Sequence, residues 1–318
     1  MLNQQDRFRG CLLGLAAGDA VGTTVEFKRR GSFEPLTDMV GGGPFRLEPG
    51  QWTDDTSMAL CLATSLVEKN GFDGQDQMER YCRWWLEGYL SSTGECFDIG
   101  LTTSAALRRF RKTGEVWAGS TDSQRAGNGS IMRLAPIPMF VLGRWAIATP
   151  QPPSESELET MLDELAQWAA DSSRITHGCG ECVDACRWFG RVIARALQGQ
   201  TKEEILLADR DMALESSSIQ AIAQGQYRTK QIDDIKGSGY VVESLEAAMW
   251  CFDQTENFRD AILLAANLGD DADTTAAVCG QIAGAFYGES GIPKSWLEKL
   301  AMVEMIRGLG DRLMGTPS

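Results

Sequence analysis

Apolar residues along this chain recur mostly at intervals of three and four, the spacing of one face of an α-helix. Phe8, Cys11, Leu12, Leu15 and Ala16 form one such stripe. Met58, Cys61, Leu62 and Leu66 form another, directly after Thr53-Asp54-Asp55-Thr56. Trp84, Trp85 and Tyr89 mark a third. The pattern continues over residues 158–170, 182–197, 245–252, 258–268 and 275–287, and ends in a pair near 295–303 and 305–314. No run of alternating β-branched residues bounded by turn signals interrupts it. The expected fold is all-α.

Chain breakers fall between these stripes. Gly41-Gly42-Gly43-Pro44 and Glu48-Pro49-Gly50 delimit a loop before the first acidic motif, and Gly127-Asn128-Gly129-Ser130 is a short glycine-rich turn. Thr149-Pro150-Gln151-Pro152-Pro153 is the best linker candidate. Informative motifs lie on both sides of it, so the expectation is one domain over residues 1–318, without an internal repeat.

Composition narrows the classes. At 43% hydrophobic and 23% charged residues the chain is ordinary globular material. Lys and Arg total 30 against 44 Asp and Glu, a net charge of −14. Such a chain repels nucleic-acid phosphates unless a basic patch or a bound cation intervenes, and no block of like positive charge is present. The longest apolar run, residues 274–288, contains Gln281 and is too short for a bilayer. The opening MLNQQDRFRG places charge before any apolar stretch, unlike a secretory signal. Nine cysteines, an odd number in a long chain, argue against a disulfide framework and for a reduced, cytoplasmic protein.

Two acidic clusters stand out, Thr53-Asp54-Asp55-Thr56 and Gly269-Asp270-Asp271-Ala272-Asp273-Thr274, and each opens a helical stripe. Capping of free N–H groups is the ordinary reading of either one. Capping needs one side chain, whereas each motif packs two or three carboxylates before a helix apolar enough to be buried. A hard cation such as Mg2+ or Mn2+ relieves that repulsion, and two converging clusters suit two ions.

The glycines divide into two kinds. Gly10, Gly14, Gly18 and Gly22 recur every four residues; the first two read as close helix packing, and Gly18-Asp19-Ala20-Val21-Gly22 as a helix end running into a loop toward Glu26. The 127–130 turn, with Arg133 nearby, has N–H groups suited to phosphate, a plain turn being the alternative. Gly237-Ser238-Gly239-Tyr240 is a second turn, with an aromatic that can stack on a base. His177 is the single histidine and starts the run His177-Gly178-Cys179-Gly180-Glu181-Cys182. Without a second soft cluster at ligand spacing this is a poor zinc site, and no nucleophile elbow supports a catalytic triad.

Taken in order, the segments RFRGCLLGLAAGDAVGTTVEF, GQWTDDTSMAL, CFDIGLTT, AGNGSIMRLAPI, ITHG, GSGYVVESLEAAMW and NLGDDADTTAAVCGQIAGAFYG resemble the ADP-ribosylglycohydrolases over residues 7–288. The resemblance implies an all-helical fold with a central dinuclear Mg2+ or Mn2+ site. It implies metal ligands at Thr53, Asp54, Asp55, Asp271, Asp273 and Thr274, with Asp270 outside the set. It places the diphosphate on Gly127, Asn128, Gly129 and Ser130, the adenosine end by Gly237, Ser238, Gly239 and Tyr240, and His177 near the distal ribose and phosphate. Glu26 matches an acidic loop residue over the metals, and Asp98 an aspartate near the scissile bond in the arginine-directed branch. The implied activity is removal of mono-ADP-ribose from an ADP-ribosylated protein, at arginine, releasing ADP-ribose. The alternatives are O-linked substrates (serine, O-acetyl-ADP-ribose), an ADP-ribosylated nucleic acid, or a non-catalytic ADP-ribose-binding module.

Overall fold

The computed structural model describes residues 2–148, 154–207 and 209–315. The linker candidate at 149–153 lies outside the described residues. Among those residues there are helices, turns and isolated bridges but no strand.

Two helices form the centre, α1 (Gln4–Gly22) and α12 (Ala272–Tyr287). Both are buried on every side over most of their length, as helices apolar all round must be. Their faces are lined with small residues, and the two backbones touch. A Cβ on Gly14 would lie 2.4 Å from the Gly280 carbonyl oxygen, and one on Gly18 2.1 Å from that of Ala276. In the other direction, a Cβ on Gly284 would lie 1.9 Å from the Gly10 carbonyl oxygen. The whole Gly10, Gly14, Gly18, Gly22 series is therefore packing surface, not the first two alone. The helix ends at Gly22, so the 18–22 segment is its last turn, leading on toward Glu26 as expected.

The other helices surround this pair in sequence order. They are α2 (Asp54–Lys69), α3 (Gly74–Glu87), α4 (Leu101–Thr113), α5 (Pro136–Ala148), α6 (Glu155–Arg174) and α7 (Gly180–Leu197). Two short helices, α8 (Lys202–Leu207) and α9 (Ser217–Ala223), lead to α10 (Val241–Gln254) and α11 (Phe258–Ala266). After α12 come α13 (Lys294–Leu297) and α14 (Val303–Leu313). Helix α14 returns to α1, where Arg9 grips Asp311 with two hydrogen bonds of 2.7 Å. Helices α6 and α7 pair with each other, and α2, α7, α10 and α11 each pack on α12.

The expected stripes map onto these helices with local differences. Tyr89 lies beyond α3, which stops at Gly88 in the left-handed conformation (φ 68°). Of the span 295–303 only α13 is a regular helix, followed by turns. Helices α4 and α5 were not foreseen. The buried face of α4 is partly Thr103 and Ser104, which shortens its apolar stripe. Helix α5 is apolar nearly all round and opens on Pro136, a residue suited to a first turn, so it carries no clear period.

Candidate metal centre and active site

The N-termini of α2 and α12 meet the last turn of α1, at Asp19 and Gly22. Asp54 and Asp55 lie in the first turn of α2, Asp273 in the first turn of α12, and Asp271 is the residue that precedes α12. Thr53 stands at the N-cap of α2, yet its own side chain caps nothing. The cap comes from α1. Asp19 Oδ1 accepts the Thr53 N–H and the Thr53 hydroxyl, each at 2.9 Å. Asp19 Oδ2 accepts the Thr56 N–H at 3.0 Å and the Thr56 hydroxyl at 2.6 Å. Asp19 is thus a site residue that sequence reading missed. Its one signal was a carboxylate inside an otherwise apolar, glycine-spaced helix.

Oxygen atoms crowd this point beyond what protons can bridge. The Thr53 hydroxyl has one proton, and its oxygen lies 2.9 Å from Asp19, 3.2 Å from Asp55 Oδ2 and 3.3 Å from Asp273 Oδ2. Thr274 Oγ1 is 3.3 Å from Asp55 Oδ2. Asp55 Oδ1 and Asp273 Oδ1 are buried without any hydrogen-bond partner. Carboxylate oxygens of Asp19, Asp55 and Asp273 lie within 4.8 Å of one another, and so do those of Glu26, Asp98 and Asp273. Asp273 belongs to both triads. Asp54 and Asp271 are outside them, at the floor of the adjoining cavity.

Burial raises every one of these acids, and the charges of neighbouring carboxylates come next for Glu26, Asp54, Asp55, Asp98 and Asp273. Asp54, Asp55 and Asp273 are pushed well above the carboxylate range. Burial followed by the charge of Asp98 takes Glu26 up to about 9, and burial followed by Asp271 takes Asp98 to about 7. Asp19 rises only to about 6, because the hydrogen bonds from Thr53 and Thr56 offset its burial. Burial also raises Asp271, against the hydrogen bond from Asn128. Among the described residues, no Lys or Arg is a main cause of these shifts. Buried carboxylates without cationic partners are costly unless a cation joins them. Hard oxygen donors and two orphaned carboxylate oxygens fit divalent ions of the Mg2+ or Mn2+ kind.

A cavity of about 870 Å3 opens above this floor, lined among others by Glu26, Asp54, Asp98, Asp271 and His177. Glu26 sits on a segment stapled to the α12 entry: Phe27 N–H donates to the Asp270 carbonyl and Asp270 N–H to the Lys28 carbonyl, both at 2.7 Å. Asp98 is half-buried and adopts a left-handed backbone (φ 60°), beside the packed rings of Phe97 and Phe45. Asp270 is also left-handed (φ 56°) and exposed.

The 127–130 loop forms one wall. Asn128 N–H donates to the Gly239 carbonyl at 3.1 Å, and Asn128 Nδ2 donates to Asp271 Oδ2 at 2.7 Å, joining loop to metal floor. The N–H groups of Gly129 and Ser130 take no acceptor among the described residues. The Ser130 side chain points the other way, into the core, where its oxygen lies 3.0 Å from Ser173 Oγ. Arg133 also faces inward. It is fully buried and donates to the Gly129 and Ser172 carbonyls and to Thr176 Oγ1, so it braces the loop from behind and does not line the cavity.

That brace sets the state of His177. Thr176 Oγ1 accepts from Arg133 at 2.7 Å and lies 2.9 Å from His177 Nδ1. Its single hydroxyl proton is therefore free for Nδ1, which leaves the ring proton on Nε2. Nε2 lies against the backbone of Gly127 and Gly129. Burial, and then the charge of Arg133, holds the ring neutral by lowering it to about 3. Ser238 and Gly239 line the same cavity, and Gly239 and Tyr240 line a groove beside it. Gly237 stays behind them, its carbonyl accepting the Asp271 N–H at 2.8 Å. The Tyr240 hydroxyl donates to Glu181 at 2.7 Å. A separate cavity of about 730 Å3, by Arg7 and Trp145, has no acidic residue in its lining.

A family model described as ADP-ribosylglycohydrolase matches residues 1–318. The chain belongs to the ADP-ribosylglycohydrolase family. Among its relatives is the ADP-ribosylarginine hydrolase Tri1 of Serratia proteamaculans, 45% identical over 97% of this chain and 79% of that protein. Another is the ADP-ribosyl-[dinitrogen reductase] glycohydrolase of Rhodospirillum rubrum, 33% identical over 93% of this chain and 91% of the relative. A solved structure titled ADP-ribosylglycohydrolase-related protein complex superposes with a TM-score of 0.81 at 39% identity, covering 98% of both chains. Among the described residues of this family member, no helix is long and apolar enough to cross a membrane.

Proposed function

We propose that this protein hydrolyses the bond between ADP-ribose and a modified arginine of a protein, with two Mg2+ or Mn2+ ions in the acidic centre. The observation that carries the reading is the shared Asp273: two oxygen triads with one carboxylate in common, no cationic partner, and a cavity directly above. The arginine linkage is supported by the relatives named as ADP-ribosylarginine hydrolases. The ligand set is Thr53, Asp54, Asp55, Asp271, Asp273 and Thr274. Asp19 already accepts four hydrogen bonds, so its part is to hold Thr53 and the start of α2 in place.

The ions, when bound, supply fixed positive charge that orients the vicinal ribose hydroxyls and offsets the diphosphate. The free N–H groups of Gly129 and Ser130 receive phosphate oxygens, with Gly127 and Asn128 framing the turn. His177 donates its Nε2 proton to the distal ribose or phosphate, and its neutrality keeps that donor constant with pH. Gly237, Ser238 and Gly239 flank the adenosine, and Tyr240 stacks on the base. Bond cleavage builds positive charge on the sugar, and a guanidine is too basic to leave unprotonated. Asp98 delivers that proton to the departing nitrogen, while Glu26, returned to its charged form when cations are bound, accepts one from the attacking water. The partner is thus an ADP-ribosylated protein and the product ADP-ribose. The free state of all nine cysteines supports a reducing, cytoplasmic setting, and the α1–α12 seam supports a single domain over residues 1–318.

The test is incubation with arginine-, serine- and acetyl-linked ADP-ribose, with Mg2+, Mn2+ or a chelator. ADP-ribose released from arginine only when a metal is present is the expected result. Release confined to serine or acetyl linkages overturns the arginine assignment. No release, together with no metal-dependent thermal shift, overturns the enzyme reading.

A further inference from the structure

We propose that Cys179 and Cys182 are a redox-modifiable dithiol whose oxidation to a disulfide by a hydroperoxide loosens the 127–130 loop. The pair lies behind that loop, outside the metal centre and the cavity lining. Cys179 is the N-cap of α7 and Cys182 lies one turn on, so the C-x-x-C spacing stacks the thiols at a helix N-terminus. Their sulfurs are 3.3 Å apart, and the Cys182 thiol donates to the Gly127 carbonyl at 3.2 Å. One thiol pair thus touches the backbone of the turn that carries Asn128 and abuts His177.

The two sulfurs differ in the way the chemistry needs. Cys179 is the one cysteine of the nine whose thiol is shifted down. The hydrogen bond it shares with the Cys182 sulfur, opposed by burial, takes it to about 7. That hydrogen bond and burial push Cys182 up, and burial pushes up the remaining thiols, among them Cys11, Cys61 and Cys186. Cys179 is 2% exposed and Cys182 fully buried, which selects a small oxidant. The Cys179 thiolate attacks one peroxide oxygen and forms a sulfenic acid; the departing hydroxide takes a proton and becomes water. The Cys182 sulfur then attacks the Cys179 sulfur, and its proton leaves with the sulfenic hydroxyl as a second water. Two thiols lose two electrons and one peroxide gains them. Cys182 no longer has a proton for Gly127, whose carbonyl is left without that donor.

The experiment treats the whole chain with hydrogen peroxide, with and without later dithiothreitol. It reads thiol connectivity by differential alkylation and peptide mass, and amide exchange over residues 126–130. The expected result is a Cys179–Cys182 peptide short of two hydrogens, reversed by dithiothreitol. Exchange over the loop should quicken by roughly threefold, the order given by loss of one weak buried hydrogen bond. Cys179→Ser, which keeps the Cys182 contact, should show neither change. Free thiols after peroxide, or Cys179 taken only to a sulfinic acid, overturns the proposal. A disulfide that leaves loop exchange unchanged overturns the coupling. Neither readout uses substrate, so a missing hydrolase activity would count against the proposed function and not against this result.

Discussion

Gly18→Ala is the substitution in which helix propensity and packing disagree most sharply. In an exposed helix the change stabilises by up to about 1 kcal/mol. Here the added carbon would sit 2.1 Å from the Ala276 carbonyl oxygen, and ordinary contact starts at 3.4 Å, so the helices must part by roughly 1.3 Å. The obstacle is backbone, which cannot rotate aside as a side chain can. Overpacking costs about 1–3 kcal/mol and occasionally more, and with no flexible neighbour the upper end applies. The net expectation is a loss of about 2 kcal/mol. Gly308→Ala in α14 is the internal control, because a Cβ there meets nothing within 4 Å. That variant should gain about 0.5–1 kcal/mol from propensity alone. Urea unfolding followed by tryptophan fluorescence, in chelator so that metal does not contribute, measures both. A Gly18→Ala midpoint at or above the parent's, with Gly308→Ala behaving as expected, would refute the claim that α1 and α12 are in backbone contact.

Other perturbations test the site. Asp55→Asn and Asp273→Asn should each raise metal-free stability by relieving repulsion, yet abolish the Mg2+- or Mn2+-dependent rise in Tm. In the parent that rise is worth about 2.7 kcal/mol at a hundredfold excess over Kd, and a variant that keeps it shows its residue is no ligand. Asp98→Asn should lower kcat on the arginine-linked substrate by about 100-fold or more while ADP-ribose affinity by calorimetry is kept; an equal loss of both would reassign Asp98 to binding. For His177 the folded value of about 3 lies below the ordinary 6.5, so its contribution is complete above 6.5 and is lost as pH falls toward 3. The slope is about 1.4 kcal/mol per pH unit within that window. His177→Gln should flatten the dependence between roughly pH 4.5 and 6 by that one-proton slope, and an unchanged slope would mean the ring is charged in the fold.

How much of this was legible beforehand depended on which forces were local. Helices with one apolar face, such as α7 and α11, were readable because each period is written in consecutive residues. Helix α5 was not, since burial on all sides erases the period. The convergence of Asp55 with Asp273 was inferred from unsatisfied charge and from the family resemblance, and carboxylate oxygens within 4.8 Å of each other now stand behind it. Asp19 escaped notice because the groups it caps lie thirty-four positions or more further on, in another helix. Arg133 looked like a phosphate ligand from its distance to the glycine turn in sequence. Its direction was decided by the Ser172 carbonyl and Thr176 hydroxyl, which no local pattern announces.

The glycine seam also bears on how this centre can change over generations. Asp19 and Asp273 ride on two rods that abut without side chains between them, so their spacing is machined by main-chain thickness and resists gradual drift. Selection for a different ion or a different leaving group then has little purchase on the rods. It must act on the outlying acids, Glu26 and Asp98, which stand on irregular segments outside the two rods.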